Sequence, residues 1–371
     1  MIYFDNAATT FPKPNSVYEA VLKCLKHYCG NPGRSSHTLS IKSAEVIYDT
    51  RERVSNLLGV SKPENVVFTY NATYAINLAL KTLIKGKCHV LTSDVEHNSV
   101  IRPLEKLRRV HGIEYSLFDS DDPERSIEDL VRGDTVGIVS TLASNVTGAK
   151  IPLEILSDAA KKHNLFLIVD SSQLIGHARI NLSKTPCDCL CAPAHKALFG
   201  IQGCGFAYFA DSIRGDSFIE GGSGNESLSP QMPLLLPEGY EAGTLATPAI
   251  ASLEAGIRFI EDVGIDNIDR QIDRFTVLLA QRLKSIDKVK LYSARGGIVS
   301  FGVADVPSSV ISDELDRFGI CVRGGLHCAP SAHKKLGTLD KGAVRASLSF
   351  LNTITEIEEF HKALSYVVGK Y

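Results

Sequence analysis

No apolar run in this 371-residue chain reaches the roughly 18 residues that a membrane-spanning helix requires. Its first residues, Met1-Ile-Tyr-Phe-Asp5, lack the charged and apolar segments of a secretory signal. No block of like charge stands out either: 40 Lys and Arg against 42 Asp and Glu leave a formal net charge of −2, with both signs interspersed. These absences argue against a membrane, and against nucleic acid, as the main partner. The expectation is a cytoplasmic protein with a small-molecule ligand. Internal repeats and low-complexity segments are missing, and so is a disulfide framework. The nine cysteines are odd in number and scattered, as where thiols stay reduced, so each is judged singly. What is present is ordinary core material, 44% hydrophobic and 22% charged, enough over this length for two domains without covalent staples.

Short β-rich runs alternate with helical patterns from residue 40 to 210. The runs are Val66–Thr69, Val90–Thr92, Tyr115–Phe118, Gly137–Ser140, Phe166–Asp170, Asp188–Cys191 and Gly205–Phe209. This alternation predicts an α/β fold with a mostly parallel seven-stranded sheet and helices on both faces, which places ligand chemistry at the strand C-termini. Between the runs, Ala44, Ile47, Arg51, Val54 and Leu58 keep helical spacing and Gly59 supplies a C-terminal cap. A polar, glycine- and proline-rich passage from Glu220 to Thr244 is too long for a tight connection and reads as a functional or interface loop. One helical span over 247–285 then leads to a smaller α+β unit with strands at Val289–Tyr292, Ile298–Phe301, Gly319–Val322 and Val344–Leu348. A last helix starts at the capping-box spacing Thr353-x-x-Glu356 and buries Ile357, Phe360, Leu364 and Val367. The large domain is set at 15–255, and the small one at 1–14 with 256–371.

Several polar residues fall at successive strand ends. Asp170 closes a fully apolar strand, where an unpaired carboxylate is costly and a cationic partner is needed. It is either a helix N-cap before Ser171-Ser172 or the partner of a pyridinium nitrogen. Gln173 is an exposed helix residue or a donor to a ring oxygen. Lys196 follows His195 just past another apolar strand and is a solvated charge or a Schiff-base lysine. Thr69-Tyr-Asn-Ala-Thr73 leaves a strand and opens a helix, the geometry phosphate needs, so Ala72 and Thr73 are candidates; a plain N-cap is the alternative. His97 is placed to stack on a flat ring or to sit at a helix start, and Asn145 is a site residue or a turn residue. Cys328 stands in Arg323-Gly-Gly-Leu-His-Cys328-Ala-Pro330, a glycine-rich turn. It is a buried turn cysteine or a nucleophile, with Arg323 and His327 near enough in sequence to favour the thiolate. Cys187, Cys189 and Cys191 alternate along a strand, so packing on one face fits them better than metal binding. Cys24, Cys29, Cys88, Cys204 and Cys321 have no histidine at ligand spacing, and no metal is expected.

Taken in order, Tyr3-Phe-Asp-Asn-Ala-Ala-Thr9, Asn31-Pro-Gly-Arg-Ser-Ser-His37, Ser93 to Asn98, Ser144 to Gly148, Val169 to Gln173, His195-Lys196, Glu241-Ala-Gly-Thr244, Arg323 to Cys328 and Arg345-Ala-Ser resemble the cysteine desulfurase and selenocysteine lyase family. This family belongs to the class V aminotransferase superfamily of fold-type I pyridoxal phosphate enzymes, and the likeness covers nearly the whole chain. The resemblance implies that Lys196 holds pyridoxal 5'-phosphate as a Schiff base, Asp170 pairs its ring nitrogen, and Gln173 and Asn145 surround the ring oxygen. It also implies that His97 stacks on the ring, Thr73 and His195 hold the phosphate, Thr244 reaches the phosphate of a neighbouring subunit in a homodimer, and Arg345 binds the substrate carboxylate. Cys328 would attack the sulfur of L-cysteine, leaving a persulfide and alanine, with the sulfur passed to an acceptor protein for iron–sulfur clusters or another thio-cofactor. The cysteine segment is similar to the branch with a short, ordered loop. His37 matches an element of that branch with no clear task and is carried as a substrate-site candidate.

The chain departs from the family at Pro193, where relatives carry a hydroxyl residue for phosphate, with Ala194 next. One phosphate hydrogen bond must then be absent or supplied elsewhere. The alternatives in the same fold are a selenocysteine lyase, an aminotransferase, or a lyase acting on a larger thiol; outside it, a cofactor-free scaffold that binds a sulfur carrier.

Overall fold

The computed structural model describes every residue except 34, 35, 214, 225 and 227. Arg34 and Ser35 of the Asn31–His37 motif therefore lie outside the described residues, as do Asn225 and Ser227 of the glycine-rich passage.

The chain opens with β1 (Ile2–Tyr3), α1 (Asn15–His27) and α2 (Thr38–Leu58). A strand–helix alternation follows: β2 (Val66–Thr69), α3 (Ala72–Leu83), β3 (His89–Ser93), α4 (Asn98–His111), β4 (Glu114–Phe118), α5 (Pro123–Leu130), β5 (Thr135–Thr141), α6 (Leu153–His163) and β6 (Phe166–Asp170). β7 (Cys189–Pro193) and β8 (Gly205–Phe209) complete a seven-stranded sheet ordered β2-β8-β7-β6-β5-β3-β4. β8 runs antiparallel to both neighbours and the other pairings are parallel, as the alternation predicts.

The sheet forms because its strands are apolar on both faces. Val90, Val139 and Ile168 pack with Ile76, Leu80, Val100 and Leu104 of α3 and α4. Their strand neighbours Leu91, Ile138, Leu167 and Val169 point the other way, into a core with Val54 and Leu58 of α2, Leu156 of α6 and further helices. Cys189 and Cys191 share the α3 and α4 side, with sulfur atoms 3.9 Å apart. Cys187 does not join them as expected: it precedes the strand and packs in the opposite core.

The remainder comprises α7 (Thr247–Val263), α8 (Ile265–Lys284), β9 (Val289–Arg295), β10 (Ile298–Val303), α9 (Ser308–Asp316), β11 (Ile320–Cys321), β12 (Arg323–Gly325), α10 (Pro330–Leu336), β13 (Ala343–Ser347) and α11 (Ile354–Val368). A four-stranded antiparallel sheet, β12-β13-β10-β9, is backed by α8, α9 and α11 through Leu279, Ile311, Phe360 and Leu364, and β1 pairs with β11. α11 begins with the expected capping box of Thr353 and Glu356.

The span expected as one helix over 247–285 is two helices, separated by Gly264 at φ 86°. A boundary at residue 255 falls inside α7, a continuous helix packed on α1 and α2. One glycine of α7 also positions the site. A Cβ on Gly256 would lie 2.0 Å from the Leu198 carbonyl oxygen, so only glycine lets this helix come into backbone contact with the turn after Lys196.

Candidate active site

The ends of β5, β6 and β7 and the starts of α3 and α4 meet in one cleft. Its wall contains Asn71, Ala72, Thr73, His97, Ser99, Asn145, Asp170, Gln173, Pro193, His195 and Lys196. Eight residues singled out from the sequence, scattered from 72 to 196, are thus brought together because parallel strands deliver their C-termini to one edge.

Lys196 is the buried amine of this cleft. Burial disfavours its ammonium form and lowers its pKa to about 8, against the opposing pull of the Asp170 carboxylate, while Arg345 and Arg323 add to the lowering. A neutral amine is therefore accessible near physiological pH, the state needed to attack a carbonyl. Asp170 is only 4% exposed and acts in part as the N-cap alternative proposes, since its Oδ1 accepts from the Ser172 N–H at 2.9 Å. Its other oxygen receives no hydrogen bond among the described residues, which leaves acceptor capacity for a cation entering the cleft.

His97 caps α4: its Nδ1 accepts the Ser99 N–H at 3.0 Å, so the neutral ring carries its proton on Nε2. Burial first, then Lys196, lower its pKa to about 4, and it stays uncharged at neutral pH. Asn71 caps α3, which leaves the Ala72 and Thr73 amides at a helix start facing the cleft. His195 lines the same wall with a buried Nδ1 that has no partner among the described residues. Its carbonyl is fixed by Lys13 Nζ at 2.8 Å, Lys13 being a buried lysine whose pKa falls to about 8.

Two amides expected around the ring are partly committed. Asn145 Nδ2 donates to the His327 carbonyl at 2.8 Å, and Gln173 Nε2 donates to the Ala7 carbonyl at 3.1 Å. Each amide nitrogen keeps a second hydrogen.

Pro193 sits in the cleft without a hydroxyl, and Ser99 supplies one. Ser99 Oγ lies 2.8 Å from Thr73 Oγ1 and 2.8 Å from His97 Nδ1, joining the two helix starts. If Ser99 replaces the hydroxyl missing at 193, Ser99→Ala weakens binding of an anionic cofactor about tenfold, the cost of one hydrogen bond to a charged group. Fluorescence titration of the cofactor-free protein measures this, and an unchanged dissociation constant contradicts it.

The Cys328 segment is fastened to the cleft. Besides the Asn145 bond to the His327 carbonyl, the Cys328 carbonyl accepts the Asn98 N–H at 2.7 Å. His327 and Cys328 are consecutive left-handed residues, at φ 51° and 55°, a conformation costing a non-glycine residue roughly 1–2 kcal/mol. The cysteine itself is exposed. His327 is not the cation expected beside it: burial, then Arg345, push its pKa to about 3, so it is neutral and Arg323 is the positive group on this segment. The other cysteines are buried, apart from exposed Cys29 and half-buried Cys321, and no cluster suited to a metal occurs among the described residues.

Arg345 is fully buried, with NH1 donating to the Asn145 carbonyl at 3.0 Å and NH2 to Asp5 Oδ1 at 2.8 Å. Arg323, opposite Arg345 in the β12–β13 register, approaches the other Asp5 oxygen at 3.4 Å. Two guanidinium groups thus share one carboxylate, and the unmatched positive charge suits a carboxylate-bearing substrate. Asp5→Asn removes the common counter-ion and costs roughly 3 kcal/mol of stability, the price of breaking a buried pair. Denaturant unfolding reads this, and an unmoved midpoint contradicts it.

His37 and Thr244 lie outside this cleft. His37 is exposed and caps α2 through Ser40 N, and Thr244 is exposed in a separate depression that includes Asn31 and Gly33. Sequence reasoning singled out none of Asp5, Lys13, Ser99 or Glu96 as site residues. Glu96 is fully buried beneath the cleft, where it accepts the Thr141 N–H at 2.8 Å. Burial, with the Asp170 charge as a smaller cause, raises its pKa to about 8. An apolar strand ending on an acidic residue was a readable signal for Asp170; these four have no comparable local pattern.

Known proteins resemble this chain over nearly its whole length. The aminotransferase class-V family model matches residues 2–360. A probable cysteine desulfurase of Methanothermobacter thermautotrophicus is 30% identical, covering 99% of this chain and 95% of its own length. The apo structure of a cysteine desulfurase from Thermococcus onnurineus NA1 superposes with a TM-score of 0.88 at 29% identity, over 100% of this chain and 95% of that one. The Escherichia coli cysteine desulfurase CsdA has the same fold, with a TM-score of 0.91 at 22% identity over 99% of this chain and 94% of that one. By its full-length match and its fold, the chain belongs to the class-V aminotransferase family and, within it, to the cysteine desulfurases.

Proposed function

We propose that the protein is a pyridoxal 5'-phosphate-dependent cysteine desulfurase that converts L-cysteine to L-alanine and holds the released sulfur as a persulfide on Cys328. The observation that carries this reading is the attachment of the Cys328 segment, through Asn98 and Asn145, to the cleft that holds a buried Lys196 of lowered pKa beside Asp170.

The residues present fit the cofactor: an amine for its carbonyl, a carboxylate for its ring nitrogen, a neutral imidazole for its ring face, and two helix starts with Thr73, Ser99 and the buried His195 Nδ1, without a partner among the described residues, for its phosphate. When bound, it supplies a carbonyl for the substrate amine and an electron sink for the bond broken at Cα. Lys196 is the group placed to take the Cα proton. Arg345, with its neighbour Arg323, orients the substrate carboxylate. The Cys328 thiolate then attacks the substrate sulfur: the sulfur–sulfur bond forms as the Cβ–Sγ bond breaks, and the bonding pair stays on the three-carbon fragment. That fragment takes one proton at Cβ and regains one at Cα before it leaves as alanine.

Cys328 is exposed, which suits onward transfer of sulfur to an acceptor protein for iron–sulfur cluster or thio-cofactor assembly. Asn31, Gly33 and Thr244 share one face apart from the chain's own cleft, the place from which a second copy would meet its partner's phosphate; this supports a homodimer. No helix among the described residues is long and apolar enough to cross a membrane, and the composition supports a cytoplasmic setting.

Cofactor-loaded protein given L-cysteine and a reducing thiol yields alanine and sulfide in equal amounts. A keto acid in place of alanine contradicts the reading.

A further inference from the structure

Behind the Cys328 turn lies a chain of hydrogen bonds that the sulfur chemistry does not use. His327 Nε2 is 3.2 Å from the Arg323 carbonyl oxygen, His327 Nδ1 is 3.0 Å from His333 Nε2, and His333 Nδ1 is 2.8 Å from Thr338 Oγ1. The two ring planes are 16° from parallel, and His327, His333 and Thr338 are 7%, 0% and 4% exposed.

The direction of every bond follows from one fact: a carbonyl only accepts. His327 Nε2 must carry hydrogen, so in the neutral ring Nδ1 is an acceptor. His333 Nε2 must then donate, which makes its own Nδ1 an acceptor. Thr338 must therefore give its hydroxyl hydrogen to His333, an assignment also favoured by distance, since its other acceptor, the His333 carbonyl, is 3.4 Å away. Both histidines are neutral as this requires, because burial lowers their pKa values to about 3 and about 4. The order cannot reverse without aiming a ring lone pair at the Arg323 oxygen.

We propose that His333 and Thr338, which do not line the cleft, are positioning residues for Cys328: they fix the tautomer of His327, whose bond to the Arg323 carbonyl anchors the left-handed turn that aims the thiol to the strand before it. The inference rests on Cys328 being the sulfur acceptor, and its physical basis is the turn itself. Two consecutive non-glycine residues at positive φ persist only where the surroundings hold them. The turn is closed by its own Ala329 N–H to Leu326 carbonyl bond at 2.9 Å; from the cleft side it is held through the His327 and Cys328 carbonyls, and from behind the imidazole chain ties the His327 side chain to the Arg323 carbonyl.

The test compares Thr338→Val, which keeps the shape and loses the donor, with Thr338→Ser, which keeps the donor, in cofactor-loaded protein. Iodoacetamide labelling is resolved by peptide mass, with exposed Cys29 as internal reference. In T338V the Cys328 labelling rate rises at least about threefold relative to Cys29, as loss of one buried hydrogen bond allows. Alanine kcat falls about tenfold, the scale of a misplaced reacting group, while KM for cysteine stays within about twofold. T338S matches wild type in both. His333→Phe, which keeps a ring but no nitrogen, reproduces T338V and guards against an effect peculiar to one site.

Wild-type labelling of Cys328 in both T338V and H333F overturns the proposal, as does a T338S protein that behaves like T338V. Failure of the wild-type protein to form alanine would instead overturn the desulfurase reading, with the labelling comparison still deciding whether the turn is held this way.

Discussion

Lys196→Ala protein supplied with pyridoxal phosphate forms alanine from L-cysteine on the order of 10⁴-fold more slowly than wild type, because one substitution removes both the amine that engages the cofactor carbonyl and the base for the Cα proton. The expectation follows from where the sheet puts this side chain. An amine buried at the end of β7, with a pKa near 8, is nucleophilic where a solvated lysine is not. Lys196→Arg separates this account from one in which the residue supplies only charge. Arginine keeps the positive charge but does not deprotonate in this range, so it too is inactive and loses the borohydride-fixable link to the cofactor. Substantial activity in the arginine variant would mean that charge near Asp170 is all the site requires.

The second large effect concerns sulfur. Cys328→Ser has nearly the same volume at an exposed position, so stability is expected within about 0.5 kcal/mol of wild type. Its alanine production from cysteine falls by at least about 100-fold, since the hydroxyl cannot accept sulfur to make a persulfide. Added cysteine still perturbs the visible spectrum of the cofactor-loaded variant, because the cleft that engages the amine is intact. Cys29→Ser, at the other exposed cysteine, stays at the wild-type rate. A Cys328→Ser protein that forms alanine at the full rate removes the thiol from the mechanism, whatever the family.

Much of this was legible in the sequence where local pattern and function coincide. Asp170 and Lys196 follow fully apolar strands, so their polarity at a sheet edge stands out, and the alternation of runs from 66 to 209 fixes which edge. Helix α11 announces itself by Thr353 and Glu356. The pattern fails where a contact spans the chain. Asp5 meets Arg345 across 340 positions, and Lys13 meets His195 across 182, with nothing in either neighbourhood to signal the partner. β12 escaped because Arg-Gly-Gly has no alternation; its pairing with β13 is what makes it a strand. His327 illustrates a different limit. In sequence it is a cation beside a thiol, yet burial makes it neutral, and only its neighbours in space reveal that it braces the turn.

The central claim, that Cys328 receives the sulfur, is tested most directly by mass. Cofactor-loaded wild-type protein is mixed with L-cysteine without reductant, quenched after about one turnover, and digested. The account predicts one added sulfur atom on the peptide containing Cys328, with one alanine for each sulfur gained. Alanine formed with Cys328 unmodified, or the sulfur found on Cys29 instead, would contradict it.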